Sequence, residues 1–271
     1  MSSNSSAGTG TLLSLDKMNK ILRITPDSDG APLVEVQGGI HVRTLCQLLA
    51  GHKLALLNLG ATATQSIVGA TATGTHGTGT EIGGLATQIV ALRIVDSKGQ
   101  VHTASSTDNP TLFNAARTAF GALGIITSVT LQAVPLWKMK RSIFDMPFSS
   151  LVNELPSMMQ RHPRLQWSWI MYTDNATVLV RDDVAWDTPI DPPGPDGGCW
   201  SDSQPTSPQC TDLSYKTLTD SEAHYEARSL YTEMEMFIPA ELAMDAVRDF
   251  NTWTEQPSVK VLLLLTGFTS K

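Results

Sequence analysis

Between Asn58 and Thr87 the chain reads NLGATATQSIVGATATGTHGTGTEIGGLAT, which gathers seven of its 20 glycines and, His76 aside, only one ionisable side chain, Glu81. Glycine lacks a Cβ and reaches positive φ at little cost, so Gly74, Gly77 and Gly79 let backbone N–H groups converge on one point. Converging amides suit an anion, most often a phosphate. The spacing is not GxxxxGK[ST], because no lysine follows the glycines, and it is not GxGxxG, so ATP and nicotinamide dinucleotides lose support. His76 is a titratable group inside this stretch; it is open to a catalytic role or to hydrogen bonds that fix the loop. Farther along, SLYTEMEMFI alternates and predicts a strand with Tyr231, Glu233, Glu235 and Phe237 on one face. Leu230, Thr232, Met234, Met236 and Ile238 form its expected core face. Asp182, Asp183 and the acidic residues of 187–210 read as solvated surface.

The elements that must position these residues follow from periodicity. LVEV (33–36) predicts a short strand, and Val42, Leu45, Cys46 and Leu49 recur at helical spacing with Gly51 as the C-cap. QIVALRIV, the turn DSKG and the return VHTA predict a hairpin. STDNPTLFNAARTAFG predicts a helix with Pro110 at an early position and Gly121 at its end. From Ile125 a half-buried strand is expected, with Ile125, Val129, Leu131 and Ala133 on one face and Ser128, Thr130 and Gln132 on the other. After Pro135 tryptophans become frequent, and LQWSWIMY with ATVLVR across TDN predicts a second hairpin. A domain boundary is placed near residue 136, giving segments 1–136 and 137–271. Residues 187–210 hold six prolines and three glycines and read as a mobile loop or insertion. PAELAMDAVRDF predicts a helix with Pro239 at N1, and VKVLLLLTGF a buried strand.

Composition narrows the function classes. The 271 residues carry a net charge of −7, with no basic stripe, which argues against a nucleic-acid partner. The three cysteines, Cys46, Cys199 and Cys210, show no CxxC or Cys/His cluster, so no metal site is expected. Cys46 is read as a buried, inert thiol; Cys199 and Cys210 share one loop and could pair in an oxidising compartment, with reduced thiols the preferred reading. VLLLL at 261–265 is far too short to span a membrane.

Three long motifs in order, NLGATATQSIVGATATGTHGTG, LATQIVALRIVDSKGQV and FNAARTAFGALGIITSVTLQAVP, resemble the FAD-linked sugar-1,4-lactone oxidases, that is, L-gulonolactone oxidase and D-arabinono-1,4-lactone oxidase. The resemblance runs from LLSLDKMNKIL (12–22) to Pro135 and returns at YTEMEMFIPAE (231–241). It implies an α+β, vanillyl-alcohol-oxidase-like (PCMH-type) FAD-binding domain followed by a partial α+β substrate (cap) domain. Gly60, Ala61, Thr62, Ser66, Gly69, Gly74, Thr75, His76, Gly77, Thr78 and Gly79 are then expected along the flavin and pyrophosphate. Gly124, Ile125 and Ile126 approach the rest of the cofactor. Gly60 falls where oxygen-using members are expected to keep a small residue beside the flavin as a path for O2; the alternative is that it closes a turn. Glu235, four residues before Pro239, matches the family glutamate that meets substrate hydroxyls, the alternative being a solvated carboxylate. The implied reaction passes hydride from a hydroxyl-bearing lactone carbon to flavin N5, and O2 returns as hydrogen peroxide. A catalytically silent binding module and an alditol oxidase remain the competing readings. Membrane association, mitochondrial or at the endoplasmic reticulum, is implied by resemblance alone. The family's first FAD subdomain would precede Met1, and its lysine-bearing end would follow Lys271. The chain therefore reads as the middle of such an oxidase, with FAD binding and activity limited accordingly.

Overall fold

The computed structural model describes residues 12–26, 29–192, 199, 209–219, 235–256 and 264–268. Alternating apolar residues build a first antiparallel sheet from β1 (Ile21–Pro26), β2 (Pro32–Gln37), β4 (Ile89–Val95), β5 (Val101–Ser105) and β6 (Ile125–Gln132). Its order is β1-β2-β6-β4-β5. Val34 and Val36 of β2 and Val129 and Leu131 of β6 are fully buried, as alternation requires. A short pair, β3 (Leu54–Ala55) with β7 (Val134–Pro135), lies beside this sheet in sequence.

The helical spacing of Val42, Leu45, Cys46 and Leu49 is realised in α1 (Val42–Gly51), where all four are buried. Burial pushes the Cys46 thiol up to about 12, so it stays protonated and inert. Gly51 ends the helix but does not cap it: His52 is the C-cap, and Lys53 takes the left-handed turn at φ 58. These residues share one core with α2 (Ile67–Ala72) and the sheet interior.

The hairpin of β4 and β5 forms as expected, with the Asp96 side chain accepting from the amides of Lys98 and Gln100 across the turn. Helix α3 (Pro110–Ala116) starts at Pro110 but stops well before Gly121. The chain leaves it because the Phe120 amide bonds to Ala72 O at 3.2 Å, with Phe120 itself left-handed. In β6 the expected face is wrong at its start. Register slips between Arg93/Ser128 and Ile94/Ile126, so Thr127 is an extra residue, and the bulge turns Ile126 into the core while Ile125 stays 39% exposed.

A second antiparallel sheet has the order β11-β8-β10-β9-β12, from β8 (Lys138–Met146), β9 (Arg164–Ile170), β10 (Ala176–Val184), β11 (Gln209–Leu213) and β12 (Leu264–Phe268). The expected hairpin is β9 with β10; β8 and helix α4 (Phe148–Arg161) were not anticipated by periodicity. Phe148, Leu151, Leu155 and Met158 of α4 cover Trp167 and Trp169, and Phe148 stacks on Trp169 at 4.1 Å. Such a pair contributes about 0.5–1.5 kcal/mol beyond its buried area. Short α5 (Ser214–Leu218) follows β11, and α6 (Ala243–Thr254), entered through a 3₁₀ turn at Ala240–Leu242, packs Met244, Val247 and Phe250 onto the same core.

Three further expectations change. Cys199 and Cys210 are joined in a disulfide rather than held as thiols: their Cα atoms are 5.5 Å apart, within bridging range. Arg141 of β8 sets that proximity, because its guanidinium binds Cys199 O and its backbone pairs with Cys210. Residues 235–239 form no strand, and Met236 and Ile238, expected in the core, are 72% and 48% exposed. Tyr231, Thr232, Glu233 and Met234 lie outside the described residues, as does most of 193–208. Asp183 is exposed yet engaged, accepting from Trp137 Nε1 at 2.9 Å and pairing with Arg164, while Asp182 pairs with His162.

Candidate functional site

The glycine-rich stretch is held from beneath by buried side chains that sequence reading passed over. Asn58 is fully buried; its amide donates to Gly83 O at 3.2 Å, and its side-chain oxygen accepts the Leu59 amide. Gln88 accepts from the Leu57 amide at 2.9 Å and donates to Asn58 O at 2.9 Å. A buried amide is stable only when its donors and acceptors are matched, and these two staple both arms of the stretch together. The second sheet adds a clamp. Pro163 O accepts both the amide and the hydroxyl of Thr80, and Arg164, 6% exposed, reaches Leu57 O at 3.3 Å while pairing with Asp183 at 3.3 Å. The only advance signal for this clamp is an arginine opening an apolar strand.

On this support Gly74 adopts φ +75 and is exposed, with nothing near the place a Cβ would occupy. Its amide, expected to point at an anion, closes a turn on Thr71 O, and the Thr75 amide goes to Ala70 O. Gly77 serves close approach: a Cβ there would run into Leu59 O and Asn58 Oδ1. Gly60 is buried, and a methyl on it would meet Thr75 Cγ2. Ser66 caps α2 by accepting the Gly69 amide at 3.2 Å, and Gly69 is exposed; Ala61 and Thr62 are half-buried. Thr78 and Gly79 are buried.

Gly124, Ile125 and Ile126 reach the same neighbourhood through α2. Ile126 O lies against Gly38, whose other neighbour is Val68, and the Gly38 amide binds Thr127 O at 2.8 Å. The Ile126 side chain belongs to the core, and Gly124 packs against Val95 O, so of the three only the Ile125 side chain stands exposed.

His76 and Glu235, 159 residues apart, meet: Nε2 is 2.8 Å from Glu235 Oε1. The other ring nitrogen is 3.0 Å from Gly77 O, and the Phe237 ring stands edge-on at 5.4 Å. His76 thus shapes the loop and also reaches the carboxylate. The structure therefore gathers Gly60, Thr75, His76, Gly77 and Glu235 into one contact set.

Residues 1–105 match the FAD binding domain family. The chain is 33% identical over 173 residues to L-gulonolactone oxidase of Bos taurus, covering 64% of this chain and 39% of that protein. It is 34% identical over 164 residues to D-arabinono-1,4-lactone oxidase of Yarrowia lipolytica, covering 60% and 31%. Against L-gulono-1,4-lactone dehydrogenase of Mycobacterium tuberculosis it is 35% identical over 167 residues, covering 62% and 38%. Over 60–64% of its length the chain is thus similar to two sugar-lactone oxidases and a sugar-lactone dehydrogenase. It spans under two-fifths of the length of these relatives. Its fold is similar to that of cholesterol oxidase from B. sterolicum, with a TM-score of 0.55 at 21% identity, covering 63% of this chain and 37% of that one.

The FAD-binding fold is thus present, and two side-chain groups on this stretch are open to a hydrogen-bonding ligand. Thr78 Oγ1 and Gln65 Oε1 are buried without a hydrogen-bond partner among the described residues, a cost normally relieved by a ligand or water. Exposed Gly69 and Gly74 leave backbone open to close contact on the same stretch. Among the described residues no helix is long and apolar enough to cross a membrane.

Proposed function

We propose that this chain carries the cofactor loop and the substrate carboxylate of an oxidase that converts an aldono-1,4-lactone, D-arabinono-1,4-lactone or L-gulono-1,4-lactone, to an ascorbate-like product. The observation that carries this reading is the Glu235 carboxylate seated on the glycine-rich loop through His76. Residues 60–79 and the backbone of 124–126 would hold FAD, with Thr78 Oγ1 as a hydrogen-bonding group awaiting it. When bound, FAD supplies the two-electron acceptor and passes those electrons to O2, releasing hydrogen peroxide. Glu235 is 44% exposed at its side chain and keeps a second oxygen, which accepts a hydrogen bond from a lactone hydroxyl and orients the ring. The segments 1–136 and 137–271 take the roles of partial FAD domain and partial substrate domain.

A second reading changes only the final electron acceptor. Thr75 Cγ2 abuts the place a Cβ on Gly60 would take, which gives that glycine a packing reason of its own, and one relative is named a dehydrogenase, so an acceptor other than O2 has its own support. The test supplies excess FAD and measures flavin bleaching and peroxide separately on a panel of lactones and alditols. Lactone-driven bleaching with peroxide supports the oxidase, and bleaching that persists in air supports the dehydrogenase. Bleaching by alditols alone changes the substrate class. A protein that takes up no flavin even at excess FAD favours the silent binding module over the flavoenzyme.

A further inference from the structure

We propose that His76 is a positioning residue that holds the Glu235 carboxylate over the glycine-rich loop, so that the cofactor loop itself aims the substrate group; this rests on Glu235 acting as read above. Both ring nitrogens of His76 face acceptors, Glu235 Oε1 at 2.8 Å and Gly77 O at 3.0 Å. A neutral imidazole has one N–H and satisfies one of these; the ring carrying both protons satisfies both. His76 is well placed to aim another group. Its side chain is 15% exposed, and Gly84 packs so closely that a Cβ there would be 3.1 Å from His76 Cβ. The Glu235 segment has no such support: Met236 and Phe237 are 72% exposed, and no strand pairing holds 235–239 among the described residues. A carboxylate on so loose a segment needs an outside anchor, and His76 is the anchor in contact with it.

Two measurements test this. The first is ring N–H proton NMR on the protein. A proton shared with a carboxylate is protected from exchange, so the Nε2–H of His76 is expected to give an observable signal in the parent protein and to lose it in Glu235→Ala, which leaves no acceptor. No Nε2–H signal in the parent, or one that survives Glu235→Ala, overturns the pairing; a proton held on Gly77 O by the other nitrogen is unaffected. The second is a double-mutant cycle on lactone turnover per bound flavin. Glu235→Gln and His76→Ala are each expected to lose roughly 10- to 100-fold, the range for a charged hydrogen bond, and the double variant no more than either alone. His76→Gln, which keeps a donor toward Glu235, is expected to recover most of the loss. Additive losses, or no recovery in His76→Gln, contradict the positioning role. A ring signal that behaves as expected in a protein that turns over no lactone upholds the pairing and removes the lactone reading. Normal lactone turnover without the signal does the reverse.

Discussion

Residues 57–59 and Gly83 are tied down by Asn58, Gln88 and Arg164, all buried, and Thr80 by Pro163 O, whereas 235–239 exposes Met236 and Phe237 and meets the rest of the site through Glu235 and Phe237. The contrast is between a pre-ordered glycine-rich loop, proposed to hold the cofactor, and a carboxylate, proposed to meet substrate, on a lightly held segment. Pre-ordering spares a site the entropy of arranging itself when the cofactor arrives. Light attachment leaves the carboxylate dependent on the loop for its aim, which on the proposed reading would link cofactor geometry to substrate geometry.

The harshest way to break the contrast is to destroy the ordered side. Gly77→Val places a side chain against Leu59 O and Asn58 Oδ1, and Gly74→Val forces a β-branched residue into φ +75. Both are expected to abolish FAD binding, read by flavin absorbance after gel filtration. Wild-type flavin content in both variants contradicts the assignment of this loop. Next comes the clamp. Arg164→Met leaves Leu57 O without its guanidinium donor and Asp183 without its cation, at an expected cost of about 1–3 kcal/mol of stability. A lowered Tm together with weaker FAD binding is the expected pair of results; a lowered Tm with unchanged FAD affinity means the clamp serves the fold alone.

The smallest effect separates the site from the rest of its own sheet. Hydrogen bonds from the His102 side chain and the amides of Gln100 and Lys98 hold the Asp96 carboxyl below its usual 3.8. A depressed carboxyl contributes stability that is present above the ordinary carboxylate range and lost as pH falls through the lower folded value. Asp96→Asn is therefore expected to flatten the acid side of the stability curve, measured by thermal melts at descending pH, while FAD affinity at neutral pH stays put. A fall in neutral-pH FAD affinity would show that the hairpin and the loop are coupled.

Elements with a full period were legible in the residues: α1 through Val42, Leu45, Cys46 and Leu49, and both hairpins through alternating strands around DSKG and TDN. What failed was set by partners distant in sequence. Thr127 bulges because β4 fixes the register on both sides of it, and α3 ends early because Ala72 O captures the Phe120 amide. The alternation of SLYTEMEMFI holds in sequence, yet 235–239 finds no strand partner among the described residues. At the site, the glycines could be singled out by type and spacing, and Glu235 through the family resemblance. Asn58, Gln88 and Arg164 could not, since a polar residue that will be buried looks like any other until its partner is known. The meeting of His76 with Glu235 across 159 residues is likewise a product of the fold.

The central claim is that Glu235 serves the substrate and leaves the cofactor loop intact. The most direct test measures lactone turnover and flavin content side by side in Glu235→Gln. Loss of a charged hydrogen bond to substrate typically costs about 1.5–3 kcal/mol, so turnover is predicted to fall roughly 10- to 100-fold at unchanged flavin content. Unchanged turnover, or flavin lost in step with activity, would contradict the account.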